Sequence, residues 1–170
     1  MPLLNILQYP DPRLKKVASS IAIPEINTKY IQDIVNNMFE TMYQAKGVGL
    51  AATQVDIHLQ IITIDVSNSQ NQPLCVINPK IINQQEKIIS VEGCLSFPGI
   101  YANIPRYKLI DVKFIDRHGK MVNLSADDLL SICLQHEIDH INGKTFFDHL
   151  SPLKKNLLEK KLKKLRTHNL

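Results

Sequence analysis

The sequence predicts an α+β fold: mostly antiparallel sheet around a central helix, with one further helix in the N-terminal half and another at the C-terminus. Three observations predict it. Short β-branched runs fall in one block between Leu59 and Asp116, apolar-periodic segments flank that block, and strand and helix patterns do not alternate as a parallel βαβ sheet requires.

In chain order, the first helix comes from Thr28 to Lys46. Its apolar residues Ile31, Ile34, Val35, Met38, Phe39, Met42 and Tyr43 recur at helical spacing, and Gly47 follows where a C-terminal cap belongs. The block of strands reads as Ile61 to Val66, Val76 to Ile82 and Leu109 to Ile115, broken by Asn, Pro and Gly. Ser125 then precedes Asp128 in capping-box fashion, and the run Leu129 to Ile141 ends at Asn142-Gly143, bracketing the central helix. Leu129, Ile132, Cys133, His136 and His140 share one face of it. Leu130, Leu134, Ile138 and Ile141 form a second apolar stripe, so this helix is expected to be largely buried.

From Ser151 to Leu170 leucines alternate with lysines, which predicts an amphipathic C-terminal helix with a basic face over about residues 151–170. Seven of the twenty basic residues lie between Lys154 and Arg166, so any contact with a polyanion is expected to be local to that segment.

A chain of 170 residues without repeats, low-complexity tracts or Gly/Ser linkers is expected to form a single domain over 1–170. Its 44% hydrophobic and 21% charged residues lack the apolar deficit of disordered chains. Neither a secretory signal nor a membrane-spanning run is expected from the sequence. Cys75, Cys94 and Cys133 form an odd, scattered set, which suits a reducing compartment better than a disulfide framework.

The segment Gln135-His-Glu-Ile-Asp-His140 contains H-E-x-x-H. On a helix, residues four apart point the same way, so both imidazoles can reach one metal ion, with Glu137 beside them to address a water. The central helix thus reads as a metal-binding helix. A tetrahedral catalytic site needs a third protein ligand and one open position. Cys94 is the candidate, since it follows a strand and Gly93 allows close backbone approach; Cys133, one turn before His136, is the rival. Gly47-Val-Gly-Leu-Ala-Ala-Thr-Gln54 offers small residues for a closely lying substrate and, at Gln54, an amide donor for a developing oxyanion. Alone, this strip equally describes a turn followed by a solvated glutamine.

Taken together, Gly47-Val-Gly-Leu-Ala-Ala-Thr-Gln54, Glu92-Gly-Cys-Leu-Ser96 and Gln135-His-Glu-Ile-Asp-His140 resemble, in order and separation, the three motifs of bacterial peptide deformylase. Met38 to Tyr43 and Phe147 to Pro152 extend the resemblance over essentially the whole chain. It implies a hydrolase that removes the formyl group from the formyl-methionine of newly synthesised polypeptides, releasing formate. It implies Cys94, His136 and His140 as metal ligands, and Glu137 as general base and then acid. Gln54 and the Leu95 backbone N–H would stabilise the oxyanion. The methionine side chain would enter an apolar pocket of Val48, Leu129, Ile132 and Cys133, with Gly49 and Gly93 against the peptide backbone. Asp139 and Arg106 would pair behind the ligands and steady the helix.

The resemblance further implies ferrous iron in the cell, with nickel, cobalt or zinc accepted in preparations, although ligand type alone suggests zinc. The protein is expected in the bacterial cytoplasm as a monomer, without a membrane partner, its basic tail docking on the ribosome. Tyr101 stands where some relatives carry arginine, which bears on preference beyond the methionine. Two other readings share part of this pattern: a zinc metallopeptidase, which needs no Glu-Gly-Cys-Leu-Ser loop, and an RNA-binding module with a structural metal, which needs neither Gln54 nor Glu137.

Overall fold

The structure, a computed structural model, describes residues 2–169. After an N-terminal arm and a 3-10 turn at Pro12–Lys15 come α1 (Ile23–Ile26) and α2 (Lys29–Gln44). Five strands follow: β1 (Gly49–Ala51), β2 (Ile61–Ile64), β3 (Leu74–Gly93), β4 (Tyr101–Ile115) and β5 (Met121–Asp127). Then come α3 (Asp128–Ile141), a 3-10 turn at Phe146–His149, and α4 (Pro152–His168). The strands form one antiparallel sheet in sequential order, β1-β2-β3-β4-β5. The α+β class, the antiparallel sheet and the three helices expected from periodicity are all present.

Helices α2 and α3 flank the sheet, and strand alternation assigns each its side chains. Ile31, Ile34, Val35, Met38 and Met42 of α2 pack on Leu50, Ile61, Cys75 and Ile77. Cys133, Leu134, Ile138 and Ile141 of α3 pack on Ala51, Ile62, Ile64 and Val76, and further on Ile110, Val112 and Phe114. Strand β2 is therefore buried at every residue, which is why it reads as a nearly continuous apolar run. A third cluster lies behind the β3–β4 loop, where Phe97, Ile100, Ile104, Phe146 and Phe147 meet Leu162 of α4.

Thr28 caps α2 by accepting from the Ile31 N–H at 3.4 Å. Two boundaries differ from expectation. At the end of α2 the left-handed residue is Lys46, with φ of 57°, and not Gly47. Gly47 is small for another reason: a Cβ there would lie 2.7 Å from Leu95 Cδ1. At the start of α3, Ser125 is no cap. It sits in β5, opposite Asp111, and its hydroxyl donates to Asp111 Oδ1 at 2.6 Å, so the serine satisfies a strand neighbour rather than a helix end.

The sequence also understates the sheet. β3 and β4 continue as a long ribbon through Asn83–Ser90, a polar and largely exposed stretch held by ladder hydrogen bonds rather than by an apolar face. β5 is exposed at all but Ala126 and the half-buried Val122 and Leu124, so it too lacks a strong hydrophobic signal. Among the described residues, no helix is long and apolar enough to cross a membrane.

Candidate metal centre and active-site cleft

Helix α3 carries His136, Glu137 and His140 inward, and all three are buried. Cys94 follows directly on β3, on the loop that the third cluster supports. Its Sγ lies 3.3 Å from His140 Nε2, and the ligand atoms of Cys94, His136 and His140 all fall within 4.8 Å of one another. Cys133, the rival, stands outside this cluster and lines the neighbouring cleft, where burial pushes its thiol well above the usual range.

One thiol and two imidazoles form a donor set suited to a divalent first-row ion. The surroundings fit it too. His136 Nδ1 is held by Glu92 Oε1 at 2.9 Å, which leaves Nε2 as the ring nitrogen on the side of Cys94. Burial, then the neighbouring His136, hold His140 well below the ordinary histidine range, favouring the neutral ring that a ligand must be. Burial alone would also lower His136, but its bonds to Cys94 and Glu92 outweigh it and hold that ring well above.

Glu92 is the residue that sequence reasoning missed as a functional group. It stands two positions before Cys94, so strand alternation turns it to the same face. Arg106 clasps its carboxylate with Nε at 2.8 Å and Nη2 at 2.9 Å, and donates through Nη1 to Asp139 Oδ2 at 2.7 Å. His149 Nε2 completes the chain at 2.8 Å from the same Asp139 oxygen. Arg106 thus joins Asp139 on α3 to the carboxylate that orients His136. Burial alone would raise Glu92, yet the Arg106 bonds keep its carboxyl below the usual value. Removing Arg106 leaves Glu92 buried without its countercharge, so Arg106→Ala is expected to lower unfolding stability by about 3–5 kcal/mol and to weaken metal binding. Urea titration and competition with a chromogenic chelator measure the two effects.

Glu137 differs from Glu92. Its Oε2 has no hydrogen-bond partner among the described residues, and burial pushes its carboxyl up to about 7. A group in that range can both take and return a proton near neutrality. Gln54, also buried, accepts from the Ala51 N–H at 2.9 Å. Its amide nitrogen lies 3.2 Å from Ser96 Oγ and 3.5 Å from Cys94 Sγ, which removes the reading of a solvated glutamine.

A cleft of about 500 Å³ opens in front of these groups. Val48, Gly49, Gly93, Leu95, Leu129, Ile132 and Cys133 all line it, together with Cys94, His136 and Glu137. Val48 and Leu129 form its half-exposed rim, while Cys133 is buried. Gln54, beside Cys94, and the Arg106–Asp139 pair are not among the residues that line it. Gly49 has a definite steric role: a Cβ there would lie 2.7 Å from both Cys133 Sγ and Glu137 Oε1. Gly49→Ala must therefore displace Glu137, and turnover is expected to fall about 100-fold with metal content retained. Elemental analysis beside steady-state kinetics checks it.

Known proteins resemble this chain in sequence and fold. The polypeptide deformylase family model matches residues 3–156. The chain is 49% identical over 168 residues to a peptide deformylase of Stenotrophomonas maltophilia, covering 99% of each. It is 50% identical over 169 residues to one from Hamiltonella defensa, with 99% of this chain and 97% of that one covered. Among solved structures, a peptide deformylase from Legionella pneumophila superposes with a TM-score of 0.92 at 40% identity, over 99% of this chain and 98% of that one. One from Ehrlichia chaffeensis in complex with actinonin gives 0.89 at 38%, over 96% and 98%. Matched along nearly its whole length by the family model and by curated members, this chain belongs to the polypeptide deformylase family, hydrolases that remove the N-formyl group from newly made polypeptides.

Proposed function

We propose that Glu137 moves the protons of formamide hydrolysis, at a metal held by Cys94, His136 and His140, on the formyl-methionine end of a new polypeptide. The observation that carries this reading is the convergence of three ligand atoms within 4.8 Å beside Glu137, whose buried Oε2 has no hydrogen-bond partner among the described residues.

A divalent ion bound there supplies Lewis acidity, making water more acidic and the formyl carbonyl more electrophilic. Glu137 takes a proton as the water oxygen bonds to the formyl carbon. The Gln54 amide and the Leu95 backbone N–H donate to the oxygen on which charge develops. The C–N bond then breaks, and Glu137 returns the proton to the departing nitrogen, leaving formate and a free amine. Val48, Leu129, Ile132 and Cys133 receive the methionine side chain. Gly49 and Gly93 let the peptide backbone lie close, and Asp139 with Arg106 keeps α3 in register.

Ferrous iron is the ion proposed for the cell, with nickel, cobalt or zinc replacing it in preparations. The reading extends to a monomeric, single catalytic domain over 1–170, working in the bacterial cytoplasm. It is tested by formate release from a formyl-methionyl peptide, using anaerobically prepared iron- or nickel-loaded protein. Folded, metal-loaded protein that releases no formate overturns it.

The basic tail is proposed to meet ribosomal RNA phosphates. Deleting everything after Pro152 would also remove Leu162 from the third cluster and the Tyr9–Glu159 hydrogen bond. Charge is the cleaner variable, because Lys160, Lys161, Lys163 and Lys164 are exposed. Replacing these four by glutamate is expected to abolish salt-sensitive cosedimentation with ribosomes while short-peptide turnover stays within about twofold.

A further inference from the structure

Val91 and Tyr101 belong to two cavities at once. Gly93 pairs with Tyr101 across the ribbon, and a Cβ on Gly93 would lie 2.8 Å from Tyr101 Cε1, so the bare glycine lets the ring lie across the strand. On one side Val91 and Tyr101 close the active-site cleft. On the other they line a groove of about 290 Å³ between the β3–β4 ribbon and α4, facing Leu150, Lys154, Leu157 and Leu158.

The shared wall is apolar and open, with Val91 73% and Tyr101 66% exposed, and Leu157 across the groove is 57% exposed. Leu158 is tied down by the third cluster, whereas Leu157 on the same turn faces the groove. Large exposed side chains gathered beside a site, on a ribbon otherwise rich in exposed polar residues, mark a surface that something covers.

We propose that this groove holds the part of the formylated polypeptide that follows the residues in the cleft, and that it takes an apolar side chain there. The proposal rests on the deformylase reading given above. The occupant follows from continuity. A polypeptide substrate has no end where the cleft ends, it advances about 3.3 Å per residue when extended, and the Val91–Tyr101 wall is common to both cavities. Lys154 at the groove makes a basic side chain the least favoured occupant.

Formate release by the metal-loaded full chain is measured on formyl-Met-Ala-Ser and on hexapeptides extended from it, carrying Leu, Ser or Lys at each added position. Leucine at one added position is expected to raise kcat/KM about tenfold over serine, through KM, with lysine lowest, as partial burial of one such side chain implies. Normalised to the tripeptide rate of the same variant, that advantage is expected to fall below about twofold in Leu157→Asp, a change at an exposed position that the fold tolerates. Equal rates for leucine and serine at every added position overturn the groove, as does an advantage that survives Leu157→Asp. If neither the tripeptide nor any hexapeptide yields formate, the deformylase reading itself fails, and the groove fails with it.

Discussion

Glu137→Ala is expected to lower kcat for formate release by about 10²–10⁴-fold while the folded protein keeps its metal and its affinity for peptide. The substitution removes the proposed proton carrier and none of the three residues proposed to hold the metal. Glu137 makes no ion pair, and its Oε2 has no hydrogen-bond partner among the described residues, so its loss strands no other buried group. The measurement pairs single-turnover formate release with elemental analysis of the same sample. Retained turnover in a metal-replete variant would move the proton chemistry elsewhere and leave Glu137 a spectator. Glu137→Gln, which keeps the shape, should match the alanine variant, because the function at stake is proton exchange and not packing.

Cys94→Ala is expected to weaken binding of the divalent ion by more than about 100-fold, since even the partner that orients a ligand contributes 10–100-fold. Turnover should be lost in proportion to the metal. Because an ion bound only to the folded state stabilises it by mass action, wild-type protein should unfold at a lower temperature after chelation, and the variant should show little of that difference. Calorimetry with and without chelator checks both. A Cys94→Ala protein that keeps a full complement of metal would point to a site built on the two histidines with another partner, as in a metallopeptidase. Cys133 is a poor substitute, since it lies outside the ligand cluster and its thiol is held protonated by burial.

What could be read from the sequence was what depends on local spacing. His136 and His140 are one helical turn apart, so their convergence needs only the helix, and the apolar stripes of α2 and α3 announce their burial. Cys94 could be nominated because it follows a strand beside Gly93, which permits close backbone approach, although Cys133 on the helix itself was a rival. What could not be read depends on groups that meet across the chain. Glu92 reaches His136 from 44 positions away and Arg106 from 14, and no local pattern records either contact. The outer ribbon of β3 and β4 was hidden because its cohesion lies in backbone hydrogen bonds, which leave no trace in hydropathy. Ser125 misled because serine followed by an acidic residue serves a helix cap and a strand edge equally well.

The third cluster joins parts of the chain that are made far apart in time. Phe146 stands 5.9 Å from the His136 ring, centroid to centroid, and Phe97 anchors the loop that carries Cys94. Both rest on Leu162, and Tyr9 is fastened to Glu159 across 150 positions of sequence. During vectorial synthesis the ligand-bearing segments emerge first and the side chain that wedges behind them emerges later. In that order of synthesis, the packing behind Cys94 and His136 is complete only once α4 has laid Leu162 against Phe97 and Phe146, so the last helix to be made closes a cluster that the earlier segments leave open.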